Sequence, residues 1–203
     1  VWAAAKHIEG FCKTVDVESG FMATTKRRFV DEETLRKLFE VHEQSLQGIP
    51  LSQPSLEDYD LVVVTDFGHG CLTQPGIEWL SRDAKFLAVN AQTNSANTGF
   101  NLITKYPRAD YVVIDQLEAR LAAHDRTSKI EDICLFLRKL GFERVVVTLG
   151  SHGSVGMDRT GFYREPSVSK KVVDTIGAGD AFFCVTAPFA AAGASMRDLL
   201  RIG

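Results

Sequence analysis

From residue 60 onward the apolar positions keep two rhythms. Residues 61–65, 86–89, 111–114 and 144–149 are short apolar runs rich in β-branched side chains, without a polar residue at every second position. Runs of that kind suit strands covered on both faces. Between them, residues 73–82, 115–124 and 128–140 carry apolar side chains at helical spacing. Ser128 and Glu131 stand at capping-box spacing, and Gly141 follows where the third helix should stop. Residues 154–158 and 162–165 predict a hairpin turning at 159–161. Residues 178–192 predict a helix ended by Gly193, and Ser195 with Asp198 opens a last helix at the same capping spacing. Strands and helices in alternation predict an α/β sandwich built on a mostly parallel sheet.

The first sixty residues follow another pattern. Trp2, Ala5, Ile8, Phe11 and Cys12 share one face of a predicted helix over 2–12. Residues 26–31 and 37–42 read as strands, the second alternating Lys37, Phe39 and Val41 with Leu38, Glu40 and His42. They predict a small β element around 24–43, separate from the main sheet. Gly48, Pro50 and Pro54 make 44–55 a loop or a ragged helix. An isolated two-stranded element is marginal by itself, so packing against the domain or a second copy is expected.

Composition narrows the function. The 203 residues carry 23 Lys+Arg against 26 Asp+Glu, a net charge of −3, with 45% hydrophobic and 24% charged residues. That is the make-up of a single globular domain, without the basic field of a nucleic-acid binder. No apolar run reaches the length of a membrane span. The start, Val1-Trp2-Ala3, has no basic leader region and no initiating Met, which predicts a fragment or a processed chain. Cys12, Cys71, Cys134 and Cys184 form no C-x-x-C pair and sit among apolar neighbours, so buried free thiols and a reducing, cytoplasmic setting are expected. The five histidines lack metal-like spacing. Trp79 and Phe136 read as core.

In a parallel sheet, ligands bind beyond the carboxyl ends of the strands. Four of those ends are rich in glycine or polar residues: Asp66-Phe67-Gly68-His69-Gly70, Asn90-Ala91-Gln92-Thr93-Asn94, Gly150-Ser151-His152-Gly153, and Asp174-Thr175-Ile176-Gly177-Ala178-Gly179-Asp180. The last runs directly into a predicted helix. Gly177 and Gly179 let backbone N–H groups face a ligand, and the helix N-terminus adds unpaired donors and a positive dipole end. That makes an anion site suited to phosphate. Asp180, in the first turn, is placed to accept a proton from a hydroxyl beside that phosphate. Asn90, Gln92 and Asn94 suit either hydrogen bonds to sugar hydroxyls or phosphates, or a polar loop. Lys26, Arg27 and Arg28 suit either a solvated face or the steering of an anionic substrate.

The segment from Asp174 to Asp180, continued by Ala181-Phe182, resembles the C-terminal signature of the ribokinase-like (PfkB) carbohydrate kinases. Thr148-Leu149-Gly150-Ser151-His152-Gly153 is similar to that family's T-x-G-x-x-G nucleotide segment. Asp115-Gln116-Leu117-Glu118-Ala119 is similar to its N-x-x-E-A segment. Thr25-Lys26-Arg27-Arg28-Phe29-Val30 resembles the lid strand of the heptose branch, and Asp66-Phe67-Gly68-His69-Gly70 that branch's D-Y-G-K-G. The resemblance is nearest to the kinase domain of the bifunctional heptose-7-phosphate kinase/nucleotidyltransferase proteins.

That resemblance implies a three-layer ribokinase-like α/β/α sandwich with a β lid. The implied activity is transfer of the ATP γ-phosphoryl group to a hydroxyl of a sugar or sugar phosphate. On it, Asp180 is the base and the N–H groups of Gly177, Ala178 and Gly179 are the anion hole. Thr148, Gly150 and Gly153 border the nucleotide. Glu118 and Asp115 act toward Mg²⁺, and Asp174 and Thr175 toward a monovalent cation such as K⁺. Lys26, Arg28, Asp66, His69 and Asn90 meet the sugar, and the lid pairs with a second copy in a homodimer. Two positions depart from the pattern. Asp115 stands where the family has Asn, adding negative charge beside phosphate, and His69 stands where the heptose branch has Lys, which would favour another sugar than heptose if that Lys meets a substrate phosphate. By the same resemblance the chain begins after the family's sugar-binding glycine pair and ends before the segments that complete its adenine pocket, which predicts either a fragment or a reduced protein with impaired catalysis. The other class of function is therefore a catalytically impaired sugar- or nucleotide-binding module on the same scaffold.

Overall fold

The computed structural model describes residues 25–32, 37–43, 55–70, 72–94, 97–168 and 177–203. Strands β1 (Thr25–Val30) and β2 (Lys37–Glu43) pair antiparallel with each other, with a register shift between Phe29 and Val30. The Phe29 and Phe39 rings stack across this pair with centroids 4.3 Å apart. This is the separate β element that the early residues predict. The predicted helix over 2–12 and most of the loop over 44–55 lie outside the described residues.

The main sheet has six strands in sequence order. β3 (Val62–Asp66), β4 (Leu87–Ala91), β5 (Tyr111–Asp115) and β6 (Val145–Thr148) are parallel. β7 (Ser154–Asp158) and β8 (Gly161–Glu165) extend the sheet as the predicted antiparallel hairpin. The helices are α1 (Gln74–Asp83), α2 (Gln116–Ala123), α3 (Ile130–Lys139), α4 (Ala178–Ala191) and α5 (Met196–Ile202).

The apolar runs are uninterrupted because alternate side chains serve two different cores. Leu87, Val89, Val112, Ile114, Val145 and Val147 join Trp79 of α1, Ala119 of α2 and Leu137 of α3. Ala88, Tyr111, Val113 and Val146 join Phe182 and Phe183 of α4 and Leu199 of α5. With helices on both faces, a strand has no solvent side on which polar residues would be favoured. The result is three layers, α/β/α. Inside the second core Tyr111 donates its hydroxyl proton to Thr186 Oγ1 (2.8 Å), and Thr186 passes its own to the Phe182 carbonyl (2.7 Å).

Two expectations need correction. Ser128 does not cap α3: Asp125 Oδ1 accepts from the N–H groups of Thr127 (2.8 Å) and Ser128 (2.9 Å), and the turn so formed delays the helix until Lys129 is its N-cap. Phe136 is 40% exposed, whereas Trp79 is core as expected. Cys134 is buried and Cys184 half-buried, both as free thiols, while Cys12 and Cys71 lie outside the described residues. Among the described residues no helix is long and apolar enough to cross a membrane.

Candidate active site

The carboxyl ends of β4, β5 and β6, the exit of β8, the start of α4 and the end of α5 surround a cleft of about 1080 Å³. Asn90, Asp115, Glu118, Thr148, Gly150, Gly153, Gly177, Ala178, Gly179 and Asp180 all line it. Residues far apart in the chain thus meet where the strand ends predicted. Asp174 and Thr175 lie outside the described residues.

Helix α4 starts abruptly. Gly177 is its N-cap at φ 79°, ψ −1°, a left-handed conformation that glycine adopts without Cβ strain, and among the described residues no side chain caps the helix. The first helical bond runs from Ala181 N to Gly177 O (2.9 Å), so the N–H groups of Ala178, Gly179 and Asp180 have no acceptor within the helix. A Cβ placed on Gly177 or Gly179 would meet no atom within 4 Å. Packing inside the described chain therefore does not demand glycine at 179; the space beside that backbone is open cleft.

Asp180 sits in the first turn, and Gln92 Nε2 donates to its Oδ1. Burial pushes the Asp180 carboxyl above its ordinary range, and the Gln92 amide pulls it back. Glu118 faces the same space from α2. One of its oxygens accepts from Thr93 N (2.7 Å) and the other from Asp115 N (2.8 Å), while Asp115 Oδ1 accepts from Glu118 N (2.7 Å). Asp115 and Glu118 are thus a complete capping box at the start of α2. The D-x-x-E spacing was open to that reading from the sequence. Burial first, and then the charge of Asp115, push Glu118 up to about 7 against the pull of the two N–H groups.

Among the described residues no three acidic, His or Cys side chains gather to hold a metal. The donor set fits Mg²⁺, which keeps most of its waters and takes one or two carboxylates together with substrate phosphates. Asp115 and Glu118 are the carboxylates on hand, and with Glu118's oxygens already accepting N–H bonds, water would bridge it to the ion.

Thr148 ends β6, and a 3₁₀ turn over Gly150–His152 leads to Gly153 at φ 87°. A Cβ on Gly153 would come within 2.6 Å of Ser167 N and 2.7 Å of Pro166 C. Glycine there allows the chain leaving β8 to lie against this turn and close one wall of the cleft.

The remaining sequence candidates are placed differently. Asn90 is 3% exposed; its Nδ2 donates to Val113 O (2.8 Å), and its Oδ1 has no partner. Asp66 is 5% exposed and outside the cleft lining, its carboxylate held by Lys105 Nζ (2.5 Å), Tyr106 OH (2.6 Å) and Gly68 N (3.0 Å). His69 also lies outside that lining and stacks on Phe67. Lys26 and Arg28 belong to β1, opposite His42 and Glu40. Sequence reasoning did not find the Gln92–Asp180 pair, whose members are 88 positions apart.

Known proteins resemble this chain in sequence and fold. The family model described as pfkB family carbohydrate kinase matches residues 78–203. The bifunctional protein HldE of Desulfatibacillum aliphaticivorans is 27% identical over 196 residues, covering 89% of this chain and 39% of that protein. Fructoselysine 6-kinase of Escherichia coli is 27% identical over 139 residues, covering 62% and 51%. The chain therefore spans between 30% and 51% of the length of the curated relatives it matches. Among solved structures, ribokinase from Thermotoga maritima superposes with a TM-score of 0.67 at 17% identity, over 88% of this chain and 61% of that one. Phosphofructokinase-2 from Escherichia coli, in complex with substrates and products, gives 0.58 at 17% identity, over 70% and 47%. Those two likenesses establish the ribokinase-like fold. The family match takes in β4 to β8 and every described residue of the cleft, and by it the chain belongs to the pfkB family of carbohydrate kinases.

Proposed function

We propose that this chain transfers the γ-phosphoryl group of ATP to a hydroxyl of a sugar or sugar phosphate, with Asp180 as the base. One observation carries the reading: a carboxylate in the first turn of α4 stands beside a helix N-terminus that no described side chain caps and whose glycine backbone opens onto the cleft. The unpaired N–H groups of that turn would hold the charge that develops on the transferring phosphoryl group. Asp180 would take the proton from the sugar hydroxyl as its oxygen bonds to the γ-phosphorus, and the bond from that phosphorus to the β-bridging oxygen would break to release ADP. Positioning and charge stabilisation supply most of the rate in such reactions. Thr148, Gly150 and Gly153 would border the nucleotide. When bound near Asp115 and Glu118, Mg²⁺ would neutralise charge on the phosphate oxygens. Asp174 and Thr175 would serve a monovalent cation; the Escherichia coli phosphofructokinase-2 has been crystallised in complex with potassium.

The motif resemblance to the heptose branch, together with likeness to the bifunctional HldE proteins, supports a heptose-type acceptor. Of the residues that resemblance assigns to the sugar, Asn90 lines the cleft, and Lys26 and Arg28 belong to β1. Asp66 and His69 lie outside the cleft lining and are not proposed to meet the sugar. Fructoselysine, named for the other relative, belongs in the same substrate panel. The exposed Phe29, Leu38, Phe39 and Val41 of β1 and β2 support a homodimer formed through this lid. Sedimentation as a monomer at micromolar concentration would count against that assembly.

The test of function is ATP turnover with Mg²⁺ across sugars and sugar phosphates, with Asp180→Asn alongside. Sugar-dependent ADP release that falls at least a hundredfold in the variant is the expected result. ATP binding without any turnover, in the full-length protein, would replace the kinase by a binding module.

A further inference from the structure

We propose that Gln92 is a positioning residue for Asp180, and that a buried polar network centred on Asp66 and Asn101 holds Gln92 to that task. The inference rests on Asp180 being the base.

Asp180 rides on α4, and Gln92 follows β4 on the opposite wall of the cleft. Gln92 Nε2 donates to Asp180 Oδ1. A glutamine amide lies at the end of three rotatable bonds, and it orients a carboxylate only when its own backbone is fixed. Here both sides of the Gln92 main chain are tied. Gln92 N donates to Asp66 O (2.8 Å), and Gln92 O accepts from Asn101 Nδ2 (3.0 Å). The same Asn101 amide donates to Asp66 O (2.8 Å), and Asn101 Oδ1 accepts from Lys105 Nζ (2.5 Å). Lys105 and Tyr106 in turn hold the Asp66 carboxylate (2.5 and 2.6 Å). Asp66 and Asn101 are 5% and 4% exposed, and none of Asp66, Asn101, Lys105 and Tyr106 lines the cleft. A buried polar cluster with every member engaged is rigid. This one meets the cleft through the backbone of Gln92.

The chemistry follows. With Oδ1 held by the amide, the second oxygen of Asp180 is the one presented to a substrate hydroxyl. The donor favours the ionised carboxylate, the form a base needs, in a site where burial favours the neutral acid. Among the described residues the titratable groups facing Asp180 are Glu118 from α2 and Cys184 one turn along α4. Asp115, Glu165 and Arg201 line the same cleft, the last two 3.7 Å from each other.

The experiment uses full-length protein as wild type, Gln92→Leu, Gln92→Glu and Asn101→Ala. The Asp180 carboxyl is titrated by carbon-13 NMR, assigned with Asp180→Asn, and kcat and KM for ATP are followed against pH. Gln92→Leu should raise the Asp180 pKa by about one pH unit, the effect of losing a hydrogen bond to a charged acceptor. Gln92→Glu should raise it further, and Asn101→Ala should raise it by less. The acid limb of kcat should move by the same amounts, with KM for ATP changed less than about twofold. An Asp180 that titrates at the wild-type pH in folded Gln92→Leu protein overturns the proposal, whatever the activity. An unmoved Asp180 in Asn101→Ala overturns the role of the network. A shifted Asp180 in a protein that phosphorylates nothing upholds the pairing and overturns the kinase reading instead.

Discussion

Replacing Glu118 with Gln should flatten the pH dependence of folding stability. The Glu118 side chain is 7% exposed and near Asp115 and Asp180, and its carboxyl is pushed from an ordinary 4.5 up to about 7. Between those values the folded chain holds a proton that the unfolded chain has released, so the slope of unfolding free energy against pH is negative. This group's contribution is fully present below about pH 4.5, declines as pH rises, and is gone above about 7. A window of about 2.5 pH units, at about 1.4 kcal/mol each, amounts to roughly 3 kcal/mol. The glutamine does not titrate. Its single carbonyl oxygen can serve only one of the two N–H groups of Thr93 and Asp115, which lowers stability at every pH by about 1–3 kcal/mol but adds no slope. Urea unfolding of both proteins at pH 5 and pH 8 isolates the effect, because every other titrating group is shared. On going from pH 5 to pH 8 the wild type should lose about 2–3 kcal/mol relative to Glu118→Gln. Parallel pH profiles would refute the reasoning and place Glu118 in a wetter or more positively charged setting than its neighbours describe.

Three further outcomes are expected. Gly153→Ala forces a left-handed alanine against the backbone of Pro166 and Ser167, so it should cost about 2–5 kcal/mol in urea unfolding and raise the KM for ATP. Lys105→Met strips the buried Asp66 carboxylate of its cation; Lys105 is itself 25% exposed, so a loss of about 3 kcal/mol, near the low end for such pairs, should appear in thermal unfolding. Thr186→Val leaves the Tyr111 hydroxyl unpaired at full burial and should cost about 1–3 kcal/mol, part of which Tyr111→Phe in the same chain should restore.

Much of the scaffold was legible because it depends on short-range order. Two-sided burial leaves apolar runs in β4, β5 and β6, and Ser195 with Asp198 caps α5 as their spacing predicts, Ser195 Oγ accepting from Asp198 N. The same kind of reasoning failed at Ser128, where Asp125, three residues earlier, takes the N–H groups that a capping argument would leave to the helix. Asp115 and Glu118 show a different limit. Their spacing fits a metal-handling pair and a capping box equally, and the observed bonds complete the box.

The order of strands and helices, the glycine-rich start of α4 and the acid in its first turn were determined by the sequence alone. Periodicity, glycine's tolerance of positive φ and the unpaired donors of a helix end all act within a few residues. Only the tertiary structure decided what each polar strand end would do. It turned Asp66 inward onto Lys105 and Tyr106, left Asn90 Oδ1 unpartnered in the cleft wall, and set Gln92 against Asp180 from 88 positions away. Those outcomes depend on which side chains the two cores bring within hydrogen-bond reach and on how much water is excluded there. Both are properties of packing in three dimensions, and no local run of residues carries them.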